Sequence, residues 1–206
     1  MNTTKITLKI RNDILEGFNQ RLDSCFLKRD AFLNYMLKSE TQHLRDEMQG
    51  LKLSAMARRY ISHQLMYMEK TTINVVVEKE TAEDLKQVLR ETNIVRDAFA
   101  NRLMLMLISP DSLLRLLGLP VETTDYSLRS PEPMPTSPLA SILAAIGDPF
   151  YYFRSALMGT GESIYRLRLP ERFESLACYL EDAYVPETEA WHQRIAGEKT
   201  LLEMWD

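Results

Sequence analysis

The chain has 206 residues, 45% hydrophobic and 26% charged, which is typical of a globular protein with one large or two small domains. No stretch approaches the ~20 consecutive apolar residues of a membrane span, and residues 1–10 lack the apolar core of a signal peptide. We therefore expect a cytoplasmic protein that does not contact membranes. The formal net charge of −4 argues against a generic nucleic-acid binder.

Residue types that carry chemistry are sparse. The two cysteines, Cys25 and Cys178, fall on predicted apolar helix faces, so we interpret both as reduced core residues. Three scattered histidines show no metal-ligand spacing, and the sequence contains no Gly-rich phosphate loop and no nucleophile arrangement. We therefore predict a protein that is not an enzyme and that has no metal and no cofactor.

The charge is distributed unevenly along the chain. Residues 1–70 hold 12 basic and 8 acidic residues, giving +4, residues 71–108 hold 5 and 6, giving −1, and residues 109–206 hold 8 and 15, giving −7. A basic N-terminal part and an acidic C-terminal part are consistent with a protein whose N-terminal half contacts DNA and whose C-terminal half contacts something else. Small charge imbalances on solvated faces are also common, so the charge pattern alone does not establish that the protein contacts DNA.

The chain contains an internal repeat. Shifted by 67 positions, residues 6–37 align without a gap on residues 73–104, with nine identities in 32 positions. Four identities are consecutive, because residues 29–32 and 96–99 are both Arg-Asp-Ala-Phe. An ungapped match that also preserves the apolar pattern indicates a repeated supersecondary unit.

Each repeat has the pattern of a strand followed by two helices. In the strands, apolar residues alternate with polar ones, and the apolar positions then change to helical spacing. The alternating apolar residues are Ile6, Leu8 and Ile10 in the first repeat and Ile73, Val75 and Val77 in the second. One strand with two short helices cannot bury its own apolar faces. We therefore expect the two strands to pair antiparallel, with four helices packed under the apolar face.

This pattern resembles the ribbon–helix–helix family of DNA-binding proteins, the Arc-like and Met-repressor-like group. In that family two chains usually supply the two units, whereas here one chain carries both. The resemblance implies a mainly α fold in which two strand–helix–helix units form an intramolecular pseudo-dimer. The predicted organisation has three parts. The pseudo-dimer covers 1–108 and consists of repeats 5–40 and 72–108 joined by a helical connector, 41–70. A short helix and a Pro-rich linker follow over 109–137, and an acidic, mostly helical C-terminal domain covers 138–206.

The resemblance implies that the outward face of the ribbon enters the DNA major groove. Because the inward residues are apolar, the predicted base-reading residues are Lys5, Thr7 and Lys9 in the first strand and Thr72, Asn74 and Val76 in the second. Lys donates to guanine O6 and N7, Asn suits adenine, and Thr or Val contacts the thymine methyl group. The second strand is the weaker reader, since Val76 is apolar and Glu78 follows it. Alternatively, the lysines only keep an exposed ribbon soluble.

The resemblance also implies phosphate contacts at the N-terminus of the second helix of each repeat, where free N–H groups and the helix dipole favour an anion. The predicted phosphate-binding residues are Arg11, which continues the outward row of the first strand, together with Lys28, Arg29 and Arg96. The repeated Asp30 and Asp97 already supply negative charge at these positions. An Arg–Asp pair that closes the pseudo-dimer is therefore the alternative interpretation.

Two functional hypotheses follow. The first is a sequence-specific DNA-binding transcriptional regulator, a repressor or autoregulator of double-stranded DNA, which acts as a homodimer or higher oligomer because one pseudo-dimer reads few base pairs. The second is a protein-interaction subunit or antitoxin-like inhibitor that keeps the fold as a scaffold and binds a protein partner through residues 138–206. An antitoxin that represses its own promoter would combine both.

Overall fold

A computed structural model describes residues 2–108, 147–157, 161–169 and 180–203. This part of the chain is mainly helical, with one two-stranded antiparallel sheet. None of its helices is both long enough and apolar enough to cross a lipid bilayer. In chain order the elements are β1 (Thr3–Arg11), α1 (Asn12–Ser24), α2 (Arg29–Glu47), α3 (Ala55–Tyr67), β2 (Lys70–Glu78), α4 (Lys79–Glu91), α5 (Arg96–Leu107), α6 (Tyr151–Leu157), a 3₁₀ turn (Asp182–Tyr184) and α7 (Glu189–Glu203).

The two strands pair antiparallel along their whole length, which confirms the predicted two-stranded sheet. Thr7 lies opposite Asn74, and these residues are 67 positions apart, which is the shift of the repeat. The register is therefore symmetric about a pair of equivalent residues. The alternation of polar and apolar residues turns one face of the ribbon inward, and the buried strand residues are Leu8, Ile10, Ile73, Val75 and Val77.

The core lies between the inward face of the ribbon and the helices of both repeats. The second helix of each repeat packs on the strand of the other, since α2 contacts β2 and α5 contacts β1. Phe18, Leu33 and Phe99 are among its fully buried side chains. Burial of each such side chain contributes about 1.5–3 kcal/mol. Because side chains of both repeats form this one core, neither repeat retains a complete core without the other.

The connector carries the chain from the first repeat across to the second. Helix α2 continues to Glu47, and Gly50 adopts a left-handed φ of +79° shortly after it. Helix α3 then begins after Ser54, whose hydroxyl accepts the N–H of Ala57 at 3.0 Å. The preceding residue, Leu53, donates its N–H to the carbonyl of Thr92 at 2.8 Å. This crossing covers the turn between α4 and α5.

The corresponding turn of the first repeat is open, and one sequence interpretation fails there. Cys25 is exposed, not part of the core, because α1 ends at Ser24 and the chain turns away from the protein. The turn is made by Phe26, which has a φ of +56° and is 96% exposed. Cys178 and the predicted linker 109–137 lie outside the described residues.

The described segments after residue 146 pack on the repeats. Arg102 in α5 is 1% exposed and donates to the backbone carbonyls of Ile164 and Leu167, both at 2.6 Å. Phe150 and Tyr165 belong to the same hydrophobic cluster as the ribbon residues. These parts of the predicted C-terminal domain therefore share a core with the predicted N-terminal domain.

Candidate nucleic-acid interface

All six predicted base-reading residues lie together on the exposed face of the ribbon. The register places them in three cross-strand rows, which are Lys5 with Val76, Thr7 with Asn74, and Lys9 with Thr72. Successive rows are two residues apart, or about 6.7 Å along the strand. This distance is close to two base-pair steps of about 3.4 Å each. The rows therefore have a spacing that can follow the edges of stacked bases.

The two lysines are the main charges on this face. Neither the Lys5 nor the Lys9 ammonium hydrogen-bonds or ion-pairs with any residue in the described part of the chain. The Thr7 hydroxyl donates to Asn74 Oδ1 at 2.9 Å, which leaves the Asn74 amide nitrogen as a donor toward solvent. Glu78, the acidic residue at the end of β2, pairs with Lys38 at 3.2 Å. The face thus presents donors and positive charge.

The repeated Asp and Asn residues close the two edges of the ribbon. In a two-stranded antiparallel ribbon, alternate N–H groups point away from the partner strand and need other acceptors. The second helix of each repeat supplies these acceptors to the strand of the other repeat. The donor–acceptor pairs are Val76 N to Asp30 Oδ2 (3.2 Å), Glu78 N to Asn34 Oδ1 (2.7 Å), Lys9 N to Asp97 Oδ1 (3.3 Å) and Arg11 N to Asn101 Oδ1 (2.9 Å). The identities shared by the repeats thus have a common structural role.

The predicted phosphate-binding arginines of the two second helices lie beside the same carboxylates. Arg29 Nε donates to Asp30 at 3.0 Å, and Arg96 Nε donates to Asp97 at 3.3 Å. The Arg–Asp pairing considered as an alternative is therefore present in both repeats. Both arginines stay partly exposed, and Lys28 is exposed just before α2. No side chain caps α2 or α5, so their first N–H groups remain open to an anion.

Arg11 is placed differently from the other predicted phosphate residues. Its guanidinium pairs with Asp13 at the start of α1, with Nε donating to Oδ1 at 2.7 Å. The hydrogen bonds from Arg11 are the main reason that the pKa of Asp13 lies below its usual value. Asp13 offsets the Arg11 charge, as Asp30 and Asp97 offset the charges of the other two arginines. Arg11 is the weakest of the predicted phosphate contacts because its side chain is the least exposed of the three, at 25% against 39% for Arg29 and 45% for Arg96.

A cationic groove beside β1 was missed by the sequence reasoning. It has a volume of about 810 Å³ and lies between β1, α4 and the start of α5. Its basic lining residues are Lys5, Arg58, Lys79, Lys86, Arg90 and Arg96. The carboxylates in its lining are Glu83, which pairs with Lys79, and Asp97, which pairs with Arg96.

Among the described residues, no partner is present for the charged groups of Lys5, Lys86 and Arg90. The sequence signal for the groove was the spacing of Lys79, Lys86 and Arg90, which puts the three on one helix face. The sequence did not show that this face of α4 borders the ribbon. At the equivalent positions, the first repeat has Asn12, Asn19 and Asp23, so it has no matching cationic flank.

The arrangement as a whole is a ribbon with a polar outward face, with two uncapped helix N-termini and a cationic groove next to it. Such a surface can bind a polyanion through cations and can donate hydrogen bonds to groups in its path. Comparisons with protein-family models, with curated proteins and with solved structures found no match to this chain.

Proposed function

We propose that the protein is a sequence-specific DNA-binding regulator, whose two repeats form a tandem ribbon–helix–helix pseudo-dimer and whose ribbon enters the major groove. The observation that carries this proposal is the outward ribbon face, where unpaired Lys5 and Lys9 flank the central pair of Thr7 and Asn74. The symmetric register about that pair supports the pseudo-dimer. A dimer or higher oligomer of the chain would extend the short site read by one ribbon.

The chemistry of the three rows favours an asymmetric DNA site. Lys5 and Lys9 donate to guanine O6 and N7, and the Asn74 amide can donate to an acceptor such as adenine N7. Val76 and Thr72, which lie opposite the two lysines, can contact thymine methyl groups. Because the two strands present different side chains at equivalent positions, the preferred half-site is not palindromic.

Phosphate contacts are also proposed to be unequal on the two sides of the ribbon. The N-termini of α2 and α5 offer one phosphate position each. The cationic groove adds Lys86 and Arg90 on the side of the second repeat. Each neutralised phosphate releases condensed counterions, so the affinity falls as salt rises.

The test is equilibrium binding of the full chain, by fluorescence anisotropy, to its own upstream DNA and to sequences selected from a random library. K5A/K9A is expected to lose specific binding by about 100-fold, since each well-formed base contact provides about 1–3 kcal/mol of discrimination. The control K52A/K199A, which removes two exposed charges elsewhere, is expected to bind like the wild type. A folded wild-type protein that binds no DNA at low salt, or K5A/K9A binding as tightly as the control, would refute the proposal.

A protein-interaction subunit is the second candidate, and one observation favours it. The outward residues of β2 add no positive charge to the ribbon, since Thr72, Asn74 and Val76 are uncharged and Glu78 is already paired with Lys38. Residues 138–206 would then contact the protein partner. Absence of DNA binding by the full chain, together with a stable complex recovered from cells whose cross-links map to residues 138–206, would favour this candidate.

A further inference from the structure

A partly buried ionic cluster lies between α2 and the start of α6, away from the ribbon. Its centre is Arg154, which contacts three carboxylates. The distances are 2.6 Å from Nη2 to Glu40 Oε2, 2.6 Å from Nη1 to Asp148 Oδ1 and 3.4 Å from Nε to Glu47 Oε1. The Tyr165 hydroxyl also donates to Glu40 Oε2, at 2.5 Å. One guanidinium thus faces three acidic side chains.

The charges in this cluster do not balance. With all three carboxylates counted as ionised, the cluster has a net charge of −2, and burial raises the pKa of Glu40 above its ordinary value. Glu40 is 0% exposed, and its Oε1 has no hydrogen-bond partner. The Oε2 atom of Glu47 is likewise buried without a partner. Buried anionic oxygens are strongly unfavourable unless a cation or a donor meets them, so the cluster lacks positive charge.

A histidine completes a possible ligand set. His43 lies three residues after Glu40, so both side chains project from one face of α2. One ligand atom each from Glu40, His43 and Asp148 can be chosen so that all three lie within 4.8 Å of one another. The His43 ring makes no hydrogen bond or ion pair with any residue in the described ranges.

We propose that Glu40, His43 and Asp148 bind a divalent first-row transition metal, with Zn²⁺ as the preferred ion. One imidazole nitrogen with two carboxylate oxygens suits Zn²⁺ better than Mg²⁺ or Ca²⁺, which prefer all-oxygen ligands. Arg154 holds one oxygen of Glu40 and one of Asp148, which orients both carboxylates from outside the ligand set. A charge of +2 balances the cluster, and the metal links α2 to the C-terminal half of the chain.

The test is isothermal titration of the EDTA-treated full chain with ZnCl₂, followed by Co²⁺ absorption spectroscopy. One Zn²⁺ per chain is expected, with a rise in the midpoint of thermal unfolding, and excess MgCl₂ should not displace it. H43N is expected to weaken Zn²⁺ binding at least about tenfold and to change the Co²⁺ spectrum. The controls are H63N, a change at an exposed histidine of α3, and D46N, a change at an exposed acid of α2.

Several results would overturn the metal site. They are the absence of Zn²⁺ binding by the wild type, a stoichiometry above one, unchanged binding by H43N, or equal losses in H63N and D46N. H43N is the first variant because His43 has no described hydrogen-bond partner, so its replacement should preserve the fold, as circular dichroism will show. D148N provides a second, independent test from the other side of the cluster. None of these measurements involves DNA, so they stand apart from the DNA-binding proposal.

Discussion

The two repeats use the same residues to close the ribbon and different residues to contact the rest of the molecule. Asp30 and Asn34 in the first repeat have the same role as Asp97 and Asn101 in the second, and both pairs accept N–H groups from the opposite strand. The need to close the ribbon edges therefore explains why the two repeats share these Asp and Asn residues. Their differences follow from their surroundings, since the second repeat is covered by α3 and by the C-terminal segments.

The second helices of the two repeats differ in burial at a pair of equivalent positions. Arg102 is 1% exposed and holds the carbonyls of Ile164 and Leu167, whereas its equivalent, Tyr35, is 40% exposed. R102M should lower the free energy of unfolding by about 3 kcal/mol, because it leaves buried carbonyls without a charged donor. Y35M should change it by no more than about 0.5 kcal/mol. Equilibrium urea unfolding measures both, and equal losses would show that the C-terminal segment does not pack on α5 as described.

The shared edge contacts should differ in strength. Asn101 is buried; it accepts the N–H of Arg11 and donates to the carbonyls of Lys9 and Asp97. Half-buried Asn34 accepts one hydrogen bond, from the N–H of Glu78. N101A is expected to lower the free energy of unfolding by about 2 kcal/mol and N34A by about 1 kcal/mol. The same urea titrations apply. If N34A were the more damaging change, the first repeat would have to be the more tightly closed one.

Because the cationic groove lies only on the second-repeat side of the ribbon, we expect phosphate contacts on that side to contribute more to DNA affinity than those on the first-repeat side. K86A/R90A should weaken DNA binding about tenfold and reduce the slope of log affinity against log salt by about two, because two phosphate contacts are lost. The matched change N19K/D23R, which puts these charges on the first repeat, should strengthen binding by a similar factor. Anisotropy titrations at several salt concentrations measure both variants. An unchanged slope in K86A/R90A would exclude the groove from the interface.

The smallest expected effect concerns the two turns between helices. Phe26 and Asn93 occupy equivalent positions, with φ values of +56° and +59°. Asn tolerates this left-handed region much better than Phe, and Phe26 is 96% exposed and so packs on little. F26N should therefore raise the free energy of unfolding by about 0.5 kcal/mol. N93F should lower it, and a stability loss in F26N would mean that Phe26 has a contact beyond the described residues.

The sequence predicted the elements of the repeats well, because their periodicity is local. The alternation in residues 6–10 and 73–77 defined both strands and their inward faces. The same reasoning failed at Cys25, since helical spacing does not reveal where a helix ends when an unfavourable residue makes the turn. Phe26 gives no turn signal, whereas Asn93 in the other repeat does.

The remaining sites depend on contacts between distant parts of the chain. Glu40 and His43 have helical spacing, but the third member of the proposed metal site, Asp148, is 105 positions from His43, so sequence spacing could not indicate it. The cationic groove needed the orientation of α4 relative to β1. Packing between elements set both, and no local pattern encodes such packing.

The most direct test of the central claim is dimethyl sulfate interference on a selected DNA site. This reagent methylates guanine N7 in the major groove and adenine N3 in the minor groove. If Lys5 and Lys9 read guanines from the ribbon, methylation at guanine N7 within the site should block binding, and adenine N3 methylation should not. Interference confined to adenine N3, or none at all, would contradict a ribbon bound in the major groove.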